Sequence, residues 1–108
     1  MDLKEKIRSI PDFPIKGVLF RDITTLLKDK EGYHALIETI ADSLKDRQVD
    51  LVIGPEARGF VIGAALAYAL GAGFVLARKP GKLPCETMRY EYGLEYGSDV
   101  LEIHTDSI

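Results

Sequence analysis

The clearest periodicity in the chain begins at Asp29. Tyr33, Leu36, Ile37, Ile40, Ala41 and Leu44 recur at three- and four-residue spacing and so fall on one face of a helix. Asp29 stands where an N-cap belongs. Before it, residues 3–10 read as a short amphipathic helix stopped by Pro11, and residues 11–22, with Pro11, Pro14 and Gly17, predict an irregular, turn-rich segment. After the long helix, residues 49–53 form a short apolar run rich in β-branched side chains, the pattern of a buried strand, which Gly54 and Pro55 break. Residues 59–70 are small and apolar, and Gly71-Ala72-Gly73 suits a helix end. Residues 74–77 are a second short apolar run. Strand, helix, strand over residues 49–78 is a βαβ unit, whose two strands are parallel and whose crossover is expected to be right-handed. Met88, Tyr90, Tyr92 and Leu94 then alternate with Arg89, Glu91 and Gly93, which predicts a strand. Gly97-Ser98-Asp99 reads as a turn, with residues 100–104 returning as its partner strand. The fold class is α/β.

Composition narrows the picture. A chain of 108 residues is one domain or part of one, and its net charge of −3 gives no reason to expect a nucleic-acid partner. The charge is uneven, however. Arg78, Lys79 and Lys82 lie together with no acid among them, whereas residues 83–108 carry six acids against Arg89 alone. A local cationic patch on an acidic protein points to a small anionic ligand. Cys85 is the sole cysteine, so no intrachain disulfide can form. The charged first ten residues do not look like a secretory leader, and no apolar run approaches the roughly 20 residues that cross a bilayer. A cytoplasmic setting is therefore expected, with no membrane partner.

The strongest chemical signal is Ile53-Gly54-Pro55-Glu56-Ala57-Arg58-Gly59-Phe60, where a strand ends and a helix starts. Helix starts present unpaired N–H groups and a partial positive charge, and Arg58 adds a planar cationic fork suited to phosphate oxygens. The same residues also fit a plain βα turn with a solvated arginine. Arg78, Lys79 and Lys82 follow directly after the second strand. Parallel strands send both loops off the same edge of the sheet, where open α/β sheets bind ligands. The four cations are thus expected to converge on a diphosphate-sized ligand.

Four segments occur in a fixed order: Phe13-Pro14 with Gly17 to Ile23, Gly54 to Phe60, Arg78 to Pro84, and Leu94-Glu95-Tyr96-Gly97. Together they resemble the adenine phosphoribosyltransferase family, and the resemblance runs through essentially all 108 residues. It implies a type I phosphoribosyltransferase-like parallel sheet flanked by helices, with a small base-binding hood that includes residues 11–28. It also implies the reaction of adenine with phosphoribosyl pyrophosphate to AMP and pyrophosphate, with Mg²⁺ held mainly through the substrate, in a homodimer. By motif, Leu19, Phe20 and Arg21 would line the adenine pocket, with Phe20 stacking on the base. Glu56, Ala57 and Arg58 would form the pyrophosphate loop, with a cis peptide between Glu56 and Ala57. Arg78, Lys79 and Lys82 would hold the pyrophosphate. Glu95, as acid or base for a purine nitrogen, and Tyr96 would sit on a loop, within residues 79–104, that closes over the reacting atoms. Glu95 and Arg58 are the catalytic candidates.

Two other readings compete with this one: a xanthine or other purine phosphoribosyltransferase, and a non-catalytic purine-binding fragment. The family pattern continues into a further strand ending in two adjacent acids and a threonine- and glycine-rich phosphate loop. No adjacent acidic pair occurs in these 108 residues. The sheet is therefore expected to be incomplete, a partial single domain with an uncovered edge and an exposed apolar face. Tyr90 and Tyr92 are expected to pack in the hood. His34, His104 and Cys85 have no companions that suggest metal binding or nucleophilic chemistry, and no residue is expected to ligate a metal.

Overall fold

The computed structural model describes residues 2–94 and 97–108. It divides into two compact units, Met1–Ser43 and Leu44–Ile108.

In the first unit, a 3₁₀ turn spans Leu3–Lys6, and Asp2 caps it by accepting from the Lys4 N–H at 3.0 Å. The helix expected over residues 3–10 ends there. Arg8–Pro11 is strand β1, paired antiparallel with β2, Leu19–Asp22, from Arg8↔Asp22 to Pro11↔Leu19. A long-range ladder outweighs local helical spacing because four short residues gain more from eight shared strand positions than from one frayed turn. The irregular segment expected over residues 11–22 is correspondingly shorter. Between the strands the Phe13 N–H donates to the Val18 carbonyl at 3.1 Å, the Phe13–Pro14 peptide is cis, and the Asp12 carboxylate accepts from the Gly17 N–H at 2.9 Å.

A one-turn helix α1, Thr24–Leu27, leads to α2, Lys30–Ser43. Asp29 caps α2 as expected, its carboxylate accepting from the Gly32 N–H at 3.0 Å. The predicted apolar face points inward: Ile37 is buried and Tyr33, Leu36, Ile40 and Ala41 are half-buried, while His34 and Glu38 are exposed. Leu26, at 3% exposure, is the most buried large side chain of this unit.

The second unit contains the βαβ element. β3 (Leu51–Pro55) and β4 (Gly73–Ala77) pair in parallel from Leu51↔Gly73 to Pro55↔Ala77, joined by α3, Arg58–Leu70. Strand alternation puts Val52, Gly54 and Phe74 on the α3 side. Phe74 is the wedge there. Its ring meets Phe60 edge-to-face at 6.1 Å and lies where a Cβ on Gly54 or Gly63 would stand, 2.7 and 2.6 Å away. The Leu51 and Ile53 side chains face the other way and are 40% and 48% exposed. The strand expected to be buried thus has one open apolar face.

The chain closes with a hairpin of β5 (Thr87–Leu94) and β6 (Gly97–His104). The two strands stay in register from Thr87↔His104 to Leu94↔Gly97, so Gly97-Ser98-Asp99, expected as a turn, is strand. Met88, Tyr90, Leu101 and Ile103 share one face, and Arg89 and Glu102 the other. Tyr90 does not pack as expected; it belongs to this hairpin and is 73% exposed. β6 also meets the residue after β4: Arg78 and Glu102 exchange two backbone hydrogen bonds, at 2.9 and 2.7 Å.

Candidate functional site

The parallel register sets the site's geometry. Pro55 and Ala77 are neighbours at the ends of β3 and β4, and the Glu56 N–H donates to the Ala77 carbonyl at 3.0 Å. The two loops named from the sequence therefore leave the sheet side by side. The first is short because glycine permits it. A Cβ on Gly54 would stand 2.4 Å from the Gly59 carbonyl oxygen, and one on Gly59 would stand 2.3 Å from the Pro55 ring. Only bare backbone lets β3 end so close to the start of α3.

The Glu56–Ala57 peptide is cis, as the resemblance implied. Ala57 caps α3 without a side-chain hydrogen bond, and Arg58 opens the helix with an exposed side chain. The helix start thus points its positive end toward the loop. Glu56 turns the opposite way. Its Oε1 accepts from the Lys79 N–H at 2.9 Å and from Arg78 Nε at 3.1 Å. Those bonds, led by the Lys79 N–H, and the nearby charges of Arg78 and Lys82 hold its carboxyl below the usual carboxylate range. Glu56 is therefore ionised and engaged within the loops.

Arg78 is likewise occupied. Besides its bond to Glu56, its guanidinium sits 5.9 Å from the centre of the Phe60 ring. Lys79 and Lys82 are exposed. The structure thus brings Glu56, Arg78, Lys79 and Lys82 together, with Arg58 opening α3 two residues beyond Glu56. The net result is a cationic surface at a helix start, chemistry that fits a phosphate or diphosphate. It does not fit a metal held by protein ligands. The nearest carboxylate is already bonded to cation and N–H donors, and the described residues contain no group of three or more His, Cys, Asp or Glu that could hold a metal ion.

In the first unit, Leu19, Phe20 and Arg21 are consecutive on β2. Leu19 is 53% exposed, the Arg21 guanidinium donates to Ser9 Oγ at 2.7 Å, and the Phe20 ring meets Phe13 edge-to-face at 5.1 Å. Alternation directs Phe20 to the face opposite Leu19 and Arg21. Asp22, only 7% exposed, anchors this strand. Its carboxylate accepts from the Thr24 N–H and hydroxyl, both at 2.9 Å, and pairs with the Arg8 guanidinium. The Thr24 N–H, then Arg8, bring its pKa down to about 2.

Glu95 and Tyr96 lie outside the described residues. Two anchoring carboxylates, Asp22 and Glu102, were not singled out from the sequence. The signal for Glu102 was present: one acid between Leu101 and Ile103 in an apolar alternating run. Among the described residues no helix is long and apolar enough to cross a membrane.

The fold is that of an α/β protein whose two loops and clustered cations leave one parallel sheet edge, the place where open α/β sheets bind ligands. No family model matches the chain. Individual relatives do. The chain is 62% identical over all 108 residues to the adenine phosphoribosyltransferase of Alkaliphilus metalliredigens, covering 64% of that protein. A crystal structure of adenine phosphoribosyltransferase from Thermoanaerobacter pseudethanolicus superposes with a TM-score of 0.92 at 59% identity, over 97% of this chain and 61% of that one. The APRTase from Giardia lamblia complexed with 9-deazaadenine gives a TM-score of 0.93 at 34% identity, over 99% and 60%. The chain's relatives are adenine phosphoribosyltransferases, and its fold is an incomplete form of theirs. It spans about 63% of the length of the curated relatives it matches.

Proposed function

We propose that this chain supplies the base-binding and pyrophosphate-binding parts of an adenine phosphoribosyltransferase. The observation that carries the reading is the pairing of the two loops at the β3–β4 edge, where Lys79 and Lys82 are presented beside the α3 start. In the reaction, a purine nitrogen bonds to the ribose anomeric carbon, the carbon–oxygen bond to pyrophosphate breaks, and the base gives up a proton. Negative charge grows on the leaving pyrophosphate. Lys79, Lys82, Arg58 and the α3 start stabilise it there, in a place where fixed positive charge needs no reorganisation. Mg²⁺ would be held mainly through the substrate rather than by protein ligands, and would supply neutralisation of the charge growing on pyrophosphate.

Leu19, Phe20 and Arg21 line the adenine pocket, Phe20 through its ring and Leu19 and Arg21, whose side chains face the other way, through the β2 main chain. The 9-deazaadenine in the Giardia lamblia structure supports adenine as the base. Glu95 serves the purine nitrogen as acid or base, and Tyr96 takes part in binding phosphoribosyl pyrophosphate. The exposed apolar Met88 and Tyr90, at 55% and 73%, form a face that a second copy of the chain would cover in a homodimer.

The test is nucleotide formation by the protein carrying this sequence, given phosphoribosyl pyrophosphate, Mg²⁺ and each of adenine, hypoxanthine and xanthine. AMP from adenine and little product from the others is expected. Product from xanthine or hypoxanthine in preference to adenine, or none from any base, overturns the reading.

A further inference from the structure

Every backbone donor of the cation loop is already used. The Arg78 N–H donates to the Glu102 carbonyl at 2.9 Å, the Lys79 N–H to the Glu56 carboxylate at 2.9 Å, and the Gly81 N–H to Glu102 Oε1 at 3.1 Å. Pro80 has no N–H, and the Lys82 N–H donates to the Lys79 carbonyl at 3.3 Å. A loop so satisfied cannot cradle phosphate with its main chain, as glycine-rich phosphate loops do. Anion binding falls to the side chains, and their direction depends on what holds the turn.

Glu102 holds it at both ends. Its main chain bridges Arg78, and its carboxylate reaches Gly81, whose φ of 84° lies in the left-handed region open to glycine. The other carboxylate oxygen accepts from Arg89 Nε and Nη2 at 3.1 and 2.9 Å, which fixes the side chain's rotamer from the neighbouring strand. At 4% exposure it has little contact with solvent or with any ligand. The Gly81 N–H, then Arg89, keep its carboxyl below the usual carboxylate range.

We propose that Glu102, steered by Arg89, is a positioning residue that sets the Lys79–Lys82 turn for pyrophosphate without touching it. This rests on the reading of that loop as the pyrophosphate site. The test combines two readouts on the protein carrying this sequence: affinity for inorganic pyrophosphate, and hydrogen exchange at the Gly81 amide. Glu102→Ala, and Glu102→Asp whose shorter reach leaves Gly81 unmet, are expected to weaken pyrophosphate by about tenfold through lost preorganisation. Both are expected to speed Gly81 exchange by at least about tenfold, as a locally opened amide does. Glu102→Gln has one carbonyl oxygen where Gly81 and Arg89 together use two, so it is expected to fall between the parent and Glu102→Ala on both readouts.

Two folded variants, Glu102→Ala and Glu102→Asp, that bind pyrophosphate like the parent overturn the proposal, because a purely structural role would lower the melting temperature alone. If Glu102→Ala fails to fold, Glu102→Asp decides in the same way. A parent chain that binds no pyrophosphate overturns the reading of the loop. In that case unchanged Gly81 exchange in the variants overturns the positioning role separately.

Discussion

Gly54→Ala tests whether the site depends on close approach of backbone. The added Cβ would stand 2.4 Å from the Gly59 carbonyl oxygen and 2.7 and 2.8 Å from two Phe74 ring atoms. Neither neighbour can retreat cheaply. The oxygen belongs to the first turn of α3, and the Phe74 ring is already within 2.6 Å of where a Gly63 Cβ would be. The helix start must lift from the sheet, and overpacking of this kind costs roughly 1–3 kcal/mol. With backbone on one side and a trapped ring on the other, we expect about 3 kcal/mol, at the upper end of that range. A urea slope of about 1.5 kcal/mol per molar turns this into a midpoint lowered by about 2 M.

Urea titration followed by far-UV circular dichroism measures the shift. Loss of a cooperative transition altogether is the limiting form of the same outcome. Gly93→Ala is the control, since nothing lies within 4 Å of its added Cβ, and it is expected to stay within about 0.5 kcal/mol of the parent. Equal midpoints for the two variants would refute the argument, because then the contact between Gly54 and Gly59 constrains nothing.

Three further outcomes are expected. Leu26→Ala removes a side chain only 3% exposed and is expected to cost about 3 kcal/mol in the same titration. Asp22 has a folded-state pKa lowered to about 2 from 3.8, so its contribution is present above pH 4 and lost as pH falls toward 2. Melting temperatures from pH 5 to 2 should therefore fall less steeply for Asp22→Asn than for the parent, and parallel curves would contradict the assignment. Replacing Lys79 and Lys82 together by alanine should weaken inorganic pyrophosphate by about tenfold or more and flatten its salt dependence, as removal of exposed charges does, whereas an unchanged salt slope in calorimetry would place binding elsewhere.

Much of the frame was legible residue by residue. The α2 stripe from Tyr33 to Ala41 and its Asp29 cap appear where the three- and four-residue spacing put them. The β3–α3–β4 unit follows from two short apolar runs around a small-residue helix, with Gly71 at the end of α3, whereas Gly54 and Pro55, expected to break the first strand, lie within β3 because they pair with Leu76 and Ala77. The exposed Leu51 and Ile53 match the open apolar face that an incomplete sheet implies. Residues 8–11 were misread because their strand character comes entirely from residues 19–22. Nothing within four positions of Ser9 reports that pairing.

At the site, residue types were readable but their engagement was not. The sequence determined that Arg58, Arg78, Lys79 and Lys82 would leave one sheet edge, because strand and helix periods depend on neighbours two to four residues away. Only the tertiary structure decided which of those cations remain available. Glu56 meets the Lys79 N–H across 23 residues of chain, and Glu102 meets Gly81 across 21. A carboxylate has no intrinsic preference among such donors. Its partner is whichever one the packed chain brings within about 3 Å, and hydrogen-bond strength falls off too steeply beyond that for sequence spacing to decide.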